Sequence, residues 1–557
     1  MTLFTTTPRA RLLSAGTIFL VALALRVAAA SVLGDLPISR TPQLDSAAYV
    51  SWARALVANP AFWPAYPEHA PGYPLFIASV LGILGGSLMA VRVVQAVLGA
   101  IGCVLTARVA ARTLTPGAFL PAGLLQAVYA PLVYIDTALL AESLLIFLLM
   151  LLLDRTTSAR APKHWLLAGL ILGLAIVVRP TALVLFPAFA IVIALREPRP
   201  AALRHAAALL AGTFLITLPA VAQNWRVTGV PLVQAYGGMN LYLGNRPSGS
   251  GMASARLGGE WDSLEGEASR AGVARNDQDA YYIRQTLDEI ADRPGQYAAL
   301  LGSKLVWAFQ DEELRDTHSY YFFEGSLPWL GWLPGFGVAA ALAVIGLWSA
   351  FAQARTDRSG VWWLAAYLGA MLVSVVFLVV GTRYRMPIVP AVIAFAGAGA
   401  AFAVDRVRAR DWRSVGVLAI VFLVALAGVN ARTHAASRNP AEEYALTGLS
   451  LLQENNTAGA EATVRAAIGM DDSSFAWDVL GMVLLRRELQ RDALDAFQRA
   501  IQLNERNATA WVHLGLAHEF LGNGRAAVAA YQKALSITPQ RAEALAALDA
   551  ALKRYAR

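Results

Sequence analysis

Three acidic residues at the edges of apolar segments could carry chemistry. Asp45 lies in the stretch 42–49, Glu142 opens an apolar run, and Asp136 precedes Glu142 by six residues. Because the hydrocarbon layer penalises charge, an acid near the end of a membrane span needs a reason. A helix cap would explain Asp45, and the helix dipole would favour an acid in a first turn at Asp136 or Glu142. If Asp45 and Glu142 meet at one membrane face, they could divide base catalysis from the positioning of a donor or a divalent metal ion.

Arginines beside helix-breaking residues could bind a phosphate. Arg179 directly precedes Pro180, and Arg383 and Arg385 flank Tyr384. A guanidinium group presents a planar fork of donors that matches a phosphate, and lipid-phosphate head groups lie at the depth expected for these residues. The sequence therefore predicts a phosphate site here. The alternative is that the arginines extend to the membrane interface without binding a substrate.

Further polar residues are candidate substrate contacts. Tyr49 and Arg54 follow Asp45 in the same segment. Asp136 is a further candidate for contact with the substrate. The stretch 237–246 is rich in glycine, which allows close backbone approach. Its side chains offer hydrogen bonds to hydroxyls or phosphate. The candidates in this stretch are Asn240, Asn245 and Arg246. A turn-rich loop without a binding role is the alternative interpretation.

The composition shows what kind of scaffold must position these residues. Of the 557 residues, 57% are hydrophobic and 15% are charged, whereas an average soluble domain is about 25% charged. The single cysteine, Cys103, permits neither an internal disulfide nor a cysteine-based zinc site. Disordered, collagen-like and disulfide-scaffold proteins are excluded. The remaining class is an all-α, polytopic membrane protein.

Runs of about 20 apolar residues predict about eleven transmembrane helices. The first run follows Arg9 and Arg11 and resembles a signal peptide, but Arg26 lies between it and the cleavable Ala28–Ala30, so we expect a retained span. The predicted spans lie near 12–33, 88–110, 117–134, 139–153, 164–178, 181–195, 205–224, 329–352, 361–380, 386–404 and 414–430.

The positions of Lys and Arg orient these spans. If the N-terminus is inside, the inside segments are rich in Lys and Arg and the short outside turns hold few, as the positive-inside rule requires. This pattern explains the net charge of +8 better than nucleic-acid binding does. Two long segments, 34–87 and 225–328, then lie outside together with the C-terminus. Within them, 74–84 is predicted as an interfacial helix, and 277–292 as an amphipathic helix after a turn-rich first part.

The end of the chain contains a repeat with a period of 34 residues. Trp477, Leu480, Gly481, Ala493, Phe497 and Ala500 recur as Trp511, Leu514, Gly515, Ala527, Tyr531 and Ala534, and a weaker first copy begins near Tyr444. This pattern resembles the tetratricopeptide repeat, a helix pair that buries small and aromatic residues against its neighbour. We expect a linker at 431–440 and an α-solenoid of about three repeats at 441–557. The resemblance implies a protein partner for these repeats.

Residues 1–430 resemble the GT-C glycosyltransferases, in particular the family-39-like branch that includes protein O-mannosyltransferases and aminoarabinose transferases. The order and spacing of several short stretches carry this resemblance. The stretches are Asp45 to Tyr49, Ala70 to Phe76, Glu142 to Leu144, Arg179 to Thr181, Gly237 to Asn245 and Arg383 to Pro387. The resemblance implies one transmembrane glycosyltransferase domain over 1–430, in a bacterial inner membrane, with the repeats in the periplasm.

The resemblance also implies a reaction. The donor would be a sugar on a polyprenyl phosphate, and the acceptor a protein, a lipid or a glycan. Asp45 would be the general base and Glu142 a second acid. The resemblance leaves open whether these two residues bind a divalent metal ion. The chain has Glu142 where many members carry Asp and lacks the paired acids of oligosaccharide transferases, which favours a single hexosyl or pentosyl donor. A transporter or flippase and a membrane-anchored tetratricopeptide scaffold are the alternative functions.

Overall fold

The computed structural model describes residues 8–246, 257–352, 359–431 and 438–555. The described residues fold into helices and contain no β-strand. Of these described residues, those before position 431 form a helical body with two helical outer segments, and those from Ala441 to Tyr555 form a stack of helix pairs. The predicted all-α class, a polytopic membrane protein with tetratricopeptide repeats, is confirmed.

The helical body contains helices of very different lengths. Of the helices in the described residues, seven are long and apolar enough to cross a membrane. The body helices are α1 (Pro8–Leu33), α5 (Leu88–Thr113), α6 (Phe119–Ala127), α7 (Ala130–Ile135), α8 (Glu142–Thr156), α9 (Pro162–Val178), α10 (Leu185–Arg196), α11 (Arg199–Thr228), α17 (Phe336–Ala352), α18 (Ser359–Phe377), α20 (Val389–Arg408) and α21 (Trp412–Val429).

The predicted spans and the observed helices differ in length rather than in place. Four of the predicted spans correspond to helices shorter than a full crossing. The predicted span 117–134 is broken into α6 and α7, and 181–195 begins with the short 3-10 helix Pro180–Val184 before α10. Prolines explain both breaks, because Pro131 lies in the first turn of α7 and Pro187 in the first turn of α10, where neither can donate a backbone hydrogen bond to the preceding helix.

Close backbone contacts between small residues hold the body together. A Cβ atom at Gly169 of α9 would overlap the carbonyl oxygen of Leu209 in α11, and one at Gly212 of α11 would overlap that of Leu166 in α9. Small residues at a helix interface let two backbones approach this closely. The pair α9 and α11 is therefore fixed in register, and this determines where the outer end of α9 lies.

The two outer segments are also helical. The segment 34–87 forms α2 (Pro37–Arg40), α3 (Leu44–Ala58) and α4 (Gly72–Leu84), and the second segment forms α12 (Gly237–Asn245), α13 (Glu260–Arg270), α14 (Gln278–Asp292), α15 (Pro294–Ala308) and α16 (Tyr320–Ser326). Helices thus occupy the positions predicted for the interfacial and amphipathic helices.

The start of the second outer segment differs from the sequence prediction. The predicted turn-rich part extends from Gly237 to Gly251. Its first nine residues form the helix α12 (Gly237–Asn245), and residues 247–256 lie outside the described ranges. The glycines serve close packing: a Cβ at Gly238 would overlap the carbonyl oxygen of Asp279 in α14. The backbone N–H of Gly238 donates to Oδ1 of Asp279 at 2.5 Å, so α14 supplies the acceptor for the first turn of α12.

The helix pairs at the end of the chain stack as a solenoid. They are α22 (Ala441–Gln453) with α23 (Thr457–Met470), α24 (Ser474–Arg486) with α25 (Gln490–Leu503), and α26 (Ala508–Phe520) with α27 (Gly524–Ile537), followed by α28 (Ala542–Tyr555). A Cβ at Gly481 would overlap the ring of Phe497, and one at Gly515 the ring of Tyr531. The 34-residue repeat therefore corresponds to a repeated contact between a glycine and an aromatic ring within each pair.

The solenoid packs against both outer segments. Arg40 forms an ion pair with Glu454 at 2.7 Å, and Arg541 forms one with Asp262 at 3.1 Å. The outer segments and the repeats consequently lie on the same side of the helical body. Helix α21 ends at Val429 and α22 begins at Ala441; between them, residues 432–437 of the proposed linker lie outside the described ranges.

Candidate active site

A cavity of about 450 Å³ opens at the outer end of the helical body. Its walls come from the outer ends of α8 and α18, from the 3-10 helix before α10, and from α12. Most of the wall is apolar, and four of its polar residues, Glu142, Arg179, Tyr384 and Arg383, are connected by contacts at what we call the polar end of the cavity. The polar lining consists of Glu142, Arg179, Gln234, Asn240, Arg383 and Tyr384, with Thr181 and Ser374. The apolar lining includes Leu145, Leu183, Val184, Pro187, Met371, Val375, Leu378 and Val379.

The local sequence explains how Arg179 reaches the cavity. Helix α9 ends at Val178, and Arg179 adopts an extended backbone with φ −148° and ψ 112°. The residue before a proline is disfavoured in the α region, so Pro180 sets this conformation. The side chain of Arg179 thereby leaves the helix axis at the level where the cavity begins.

Two carboxylate–guanidinium pairs lie at the polar end of the cavity; Glu142, Arg179 and Arg383 line it, whereas Asp45 is bound to Arg383 and is not part of the lining. Arg179 pairs with Glu142, which is the first residue of α8 and is 1% exposed. Arg383 pairs with Asp45, with 2.5 Å between Nη1 and Oδ2. The ring of Tyr384 lies beside both guanidinium groups, 5.2 Å from Arg179 and 4.9 Å from Arg383. The structure thus brings five predicted site residues together from four separate parts of the sequence.

Asp45 lies in the first turn of α3, outside the membrane-spanning helices. The N-cap of α3 is Gln43, so Asp45 does not serve as the helix cap that was the alternative explanation for it. Its side chain is 27% exposed. Burial alone would raise the pKa of Asp45, but the neighbouring cationic groups, Arg383 foremost, outweigh burial and hold the pKa below its usual range. The carboxylate is therefore ionised at neutral pH and able to accept a proton or a hydrogen bond.

Residues that the sequence analysis did not single out surround this pair. Oδ2 of Asp316 accepts a hydrogen bond from the backbone N–H of Arg383 at 2.9 Å, and its Oδ1 lies 3.6 Å from Nε of the same arginine. Burial lowers the pKa of His69, and burial lowers that of His318 to about 4, so both imidazoles are neutral at pH 7. The acidic run 311–316 in an outer segment was the available signal for Asp316.

Tyr49 lies next to the acidic residue on α3. Its ring is 4.7 Å from that of His69 and 5.0 Å from that of Tyr73. Burial raises the pKa of Tyr49, so the hydroxyl remains protonated. Tyr49 therefore supports the wall behind Asp45, and the structure does not place it among the cavity residues.

Other predicted site residues are used elsewhere in the fold. Asp136 is buried and pairs with Arg26 at 2.6 Å, in the interior formed with α1. Arg385 pairs with Glu313 at 2.6 Å and is 3% exposed. Neither pair lines the cavity, so the geometry gives Asp136 and Arg385 no contact with a substrate bound there.

The remaining candidates are Asn245, Arg246 and Arg54. Asn245 is fully buried and accepts a hydrogen bond from Nζ of Lys304 at 3.1 Å, which makes it a packing residue. The guanidinium of Arg246 lies 5.7 Å from the ring of Tyr242, away from the cavity lining. Arg54 is exposed on α3. The structure does not bring these three residues to the polar end of the cavity.

A divalent metal ion was the alternative use of Asp45 and Glu142. Within the described ranges, no group of three or more His, Cys, Asp or Glu side chains could hold a metal ion. Each of the two carboxylates instead binds a guanidinium group. Paired in this way, the two carboxylates do not fit a resident metal ion.

Comparisons with known proteins match the two parts of the chain separately. Residues 68–225 match the sequence model of the dolichyl-phosphate-mannose-protein mannosyltransferase family, and residues 508–541 match that of the tetratricopeptide repeat. The first match includes Glu142 and Arg179 but neither Asp45 nor Arg383. The resemblance stated from the sequence is confirmed in both parts. A comparison with the sequences of curated proteins finds no match.

Solved structures are similar at low sequence identity. ArnT from Cupriavidus metallidurans bound to undecaprenyl phosphate is 14% identical, with 97% of this chain and 88% of that chain covered and a TM-score of 0.43. The oligosaccharyltransferase of Archaeoglobus fulgidus is 14% identical, with 75% and 56% covered and a TM-score of 0.45. MamA is 28% identical, with 22% and 71% covered and a TM-score of 0.20.

Proposed function

We propose that this chain is a membrane glycosyltransferase that moves a single sugar from a polyprenyl-phosphate donor to a protein, lipid or glycan acceptor. The observation that carries the proposal is the outer cavity, whose walls are apolar and whose polar end holds Arg179 and Arg383. A polyprenyl phosphate has the same division, with an isoprenoid chain that belongs in an apolar environment and an anionic head group. The family matched by residues 68–225 uses a donor of this kind, as its name states.

The two arginines suit a phosphate whose charge increases during the reaction. When the sugar leaves, the phosphodiester of the donor becomes a phosphate monoester with an additional negative charge. Arg179 and Arg383 already lie at the cavity end, and each guanidinium has more donors than its paired carboxylate uses. Fixed donors aimed at developing charge stabilise the transition state. Tyr384 contacts both guanidinium groups with its ring and accepts a hydrogen bond from Arg383, which helps to orient them.

Asp45 would act as the base toward the acceptor. The acceptor oxygen forms a bond to the anomeric carbon while the bond from that carbon to the phosphate oxygen breaks, and the hydroxyl proton passes to Asp45. Because the pKa of Asp45 lies below its usual range, the carboxylate cannot preform an alkoxide, so the proton moves as the new bond forms. One displacement inverts the anomeric carbon. Glu142 holds Arg179 and thereby the donor head group.

The positive-inside pattern supports an outer location for this site. We place the chain in a bacterial inner membrane, with the cavity end, both outer segments and the tetratricopeptide repeats on the periplasmic side. The donor would then enter from the outer leaflet, and the acceptor would approach from the periplasm. A protein partner on the repeats fits the usual role of such helix pairs.

The test is mass spectrometry of lipid-linked sugars in a strain that lacks the chain. We expect one polyprenyl-phosphate sugar to accumulate in that strain, to disappear on rescue with the wild type, and to persist with Asp45→Asn. Loss of a general base lowers a rate by about 10²- to 10⁴-fold. The matched control is Glu68→Gln, which removes an acid from the same outer segment, 42% exposed and paired with Arg275; it should rescue like the wild type.

Two outcomes would contradict the proposal. If Asp45→Asn empties the pool as well as the wild type does, Asp45 is not the base. If deletion and wild type show the same pools of every polyprenyl-phosphate sugar while the chain is expressed, transfer from such a donor is wrong. The membrane-anchored scaffold and the transporter or flippase would then be the better interpretations.

A further inference from the structure

The first helix of the repeat array contacts the turn that carries Asp45. Nε2 of Gln43 donates to Oγ of Ser450 at 3.0 Å and to Oε1 of Gln453 at 2.9 Å. Oγ of Ser450 in turn donates to the carbonyl oxygen of Thr41 at 2.9 Å. Gln43 is the N-cap of α3 and stands two residues before Asp45. Helix α22 therefore holds the backbone from which the proposed base projects.

This turn has a backbone conformation that needs support. Leu44, directly before Asp45, has φ +54°, in the left-handed region that is unfavourable for a side chain like leucine. A residue in such a conformation persists when its surroundings fix it and costs about 1–3 kcal/mol. Gln43, bound to Ser450 and Gln453, supplies that constraint on one side of Leu44. Part of the support for the position of Asp45 thus comes from α22.

The same helix contacts the loop that holds Arg383. Oε1 of Glu443 accepts a hydrogen bond from the backbone N–H of Ser319 at 2.8 Å and lies 3.0 Å from Nη2 of Arg315. Asp316, which binds the backbone and side chain of Arg383, stands between these two contacts in the sequence. One helix of the array therefore holds both members of the Asp45–Arg383 pair, through separate loops.

The burial of these contacts distinguishes them from incidental surface contacts. Glu443 is 0% exposed, and burial raises its pKa to about 7. A buried carboxylate is costly unless it is paired and hydrogen-bonded, and here its partners come from the outer segment rather than from the repeats. Leu446, one turn further along α22, is 1% exposed and belongs to the hydrophobic core of the helical body. The face of α22 is built to contact the outer segments.

We propose that α22 is part of the catalytic unit, with Glu443 and Ser450 as positioning residues that hold Arg383 and Asp45 in register. The inference rests on the proposed glycosyl transfer and adds a role for the repeats in that same site. Undocking α22 would leave the apolar cavity and Arg179 in place but would release Asp45 and Arg383. A displacement of about 1 Å of a reacting group lowers a rate by about 10²-fold.

The experiment compares full-length variants in membranes. Glu443→Ala removes the acceptor of the Ser319 N–H, and Glu443→Gln retains it. A second contact is more exposed, with Arg40 at 49% and Glu454 at 24%, and allows a charge swap. Glu454→Arg opposes Arg40, and the double variant Glu454→Arg with Arg40→Glu restores an ion pair. The matched control is Asp478→Asn, a buried acid of the array whose partner is His513 at 2.8 Å, within the array.

Three measurements are made on each variant. The first is the turnover of donor lipid extracted from the strain that lacks the chain, the second is the affinity for undecaprenyl phosphate, and the third is hydrogen exchange of peptides covering 41–49 and 313–320. We expect Glu443→Ala and Glu454→Arg to lower turnover by about 10- to 100-fold. Binding of undecaprenyl phosphate should weaken by a smaller factor, because Arg383 is released while Arg179 stays in place. Exchange in both peptides should rise. Glu443→Gln and the charge swap should recover most of the turnover.

Each other outcome has a defined meaning. If Glu443→Ala and Glu454→Arg match Asp478→Asn in turnover and in exchange of both peptides, the positioning role of α22 is wrong. Faster exchange with unchanged turnover would show that α22 orders these loops without serving the reaction, and would also overturn the proposal. If the wild type itself neither consumes the lipid extract nor binds undecaprenyl phosphate, the proposed glycosyl transfer is wrong. Hydrogen exchange then still tests whether α22 holds the two loops. Unchanged exchange in Glu443→Ala and Glu454→Arg would show that it does not.

Discussion

Asp136 and Glu142 are six residues apart, and each forms an ion pair with an arginine. The surroundings of the two ion pairs differ. Glu142 pairs with Arg179 at the end of the cavity, where the arginine side chain is 16% exposed. Asp136 pairs with Arg26, whose side chain is 0% exposed. Arg26 also donates to the carbonyl oxygen of Ala127, so its surroundings are filled by protein groups. The pair Glu142–Arg179 is therefore accessible to a ligand in the cavity, whereas the pair Asp136–Arg26 is enclosed by protein.

Arg383 and Arg385, two residues apart, show the same contrast. Arg383 lines the cavity and pairs with Asp45, whereas Arg385 pairs with the buried Glu313 and donates to the carbonyl oxygen of Gln310. Helix α19 (Thr382–Arg385) turns one arginine toward the cavity and the other toward the interior. We therefore expect an acid or arginine in this part of the chain to contact a ligand only where its ion-pair partner leaves part of it open to the cavity.

The largest expected effect comes from breaking the enclosed pair. Asp136→Asn leaves the charge of Arg26 buried without its counter-ion, which typically destabilises a fold by about 3–5 kcal/mol. We expect a large fall in yield and in the midpoint of thermal unfolding in detergent, with turnover per folded molecule retained. Glu142→Gln should do the reverse, because Arg179 can still face the cavity: near-normal thermal unfolding and strongly reduced turnover. If Asp136→Asn and Glu142→Gln lower the midpoint of thermal unfolding equally, the distinction between a structural pair and a ligand-binding pair is wrong.

A smaller effect is expected on lipid affinity. Arg179→Gln removes charged donors from the cavity end, and hydrogen bonds to charged groups contribute about 1.5–3 kcal/mol. We expect binding of undecaprenyl phosphate to weaken by about 10- to 100-fold. The matched control Arg385→Gln should lower thermal stability and leave the affinity of the folded fraction unchanged. If Arg385→Gln weakens binding as much as Arg179→Gln does, the phosphate site is not confined to the cavity.

The positions of most helices could be predicted from the sequence because they depend on local patterns. Apolar runs located the body helices, and the 34-residue period located the helix pairs of the array. Arg179 before Pro180 could be placed at the outer end of a helix for a local reason, the restriction that a proline imposes. These features need no knowledge of what lies far away in the chain.

The pairing of charges could not be predicted, because it depends on distant contacts. Asp45 and Arg383 are 338 residues apart, and nothing in either stretch tells which arginine of the pair 383 and 385 faces the acid. The same limit explains why Asp136 and Arg385 were grouped with the site. The docking of α22 was missed because Glu443 lies in an array that the repeat pattern describes as self-contained. The lengths of the apolar runs, in turn, did not show that prolines divide two predicted spans.

The smallest expected effect is a shift in pH dependence. Arg383 holds the pKa of Asp45 low although burial would raise it. In the wild type this carboxylate therefore stays ionised as the pH falls toward about 4, and its protonation does not lower turnover in that range. A depressed pKa stabilises the fold above the unfolded value of about 4, and that contribution is lost as the pH falls through the folded pKa. In Arg383→Gln, burial is no longer outweighed by this partner, and the pKa of Asp45 rises. We expect the residual turnover of Arg383→Gln to fall at a pH at least about one unit higher than in the wild type. The profile of Arg385→Gln, normalised to its own maximum, should coincide with the wild type, since Arg385 pairs with Glu313. Matching profiles for Arg383→Gln and the wild type would mean that Asp45 does not titrate in the transfer step.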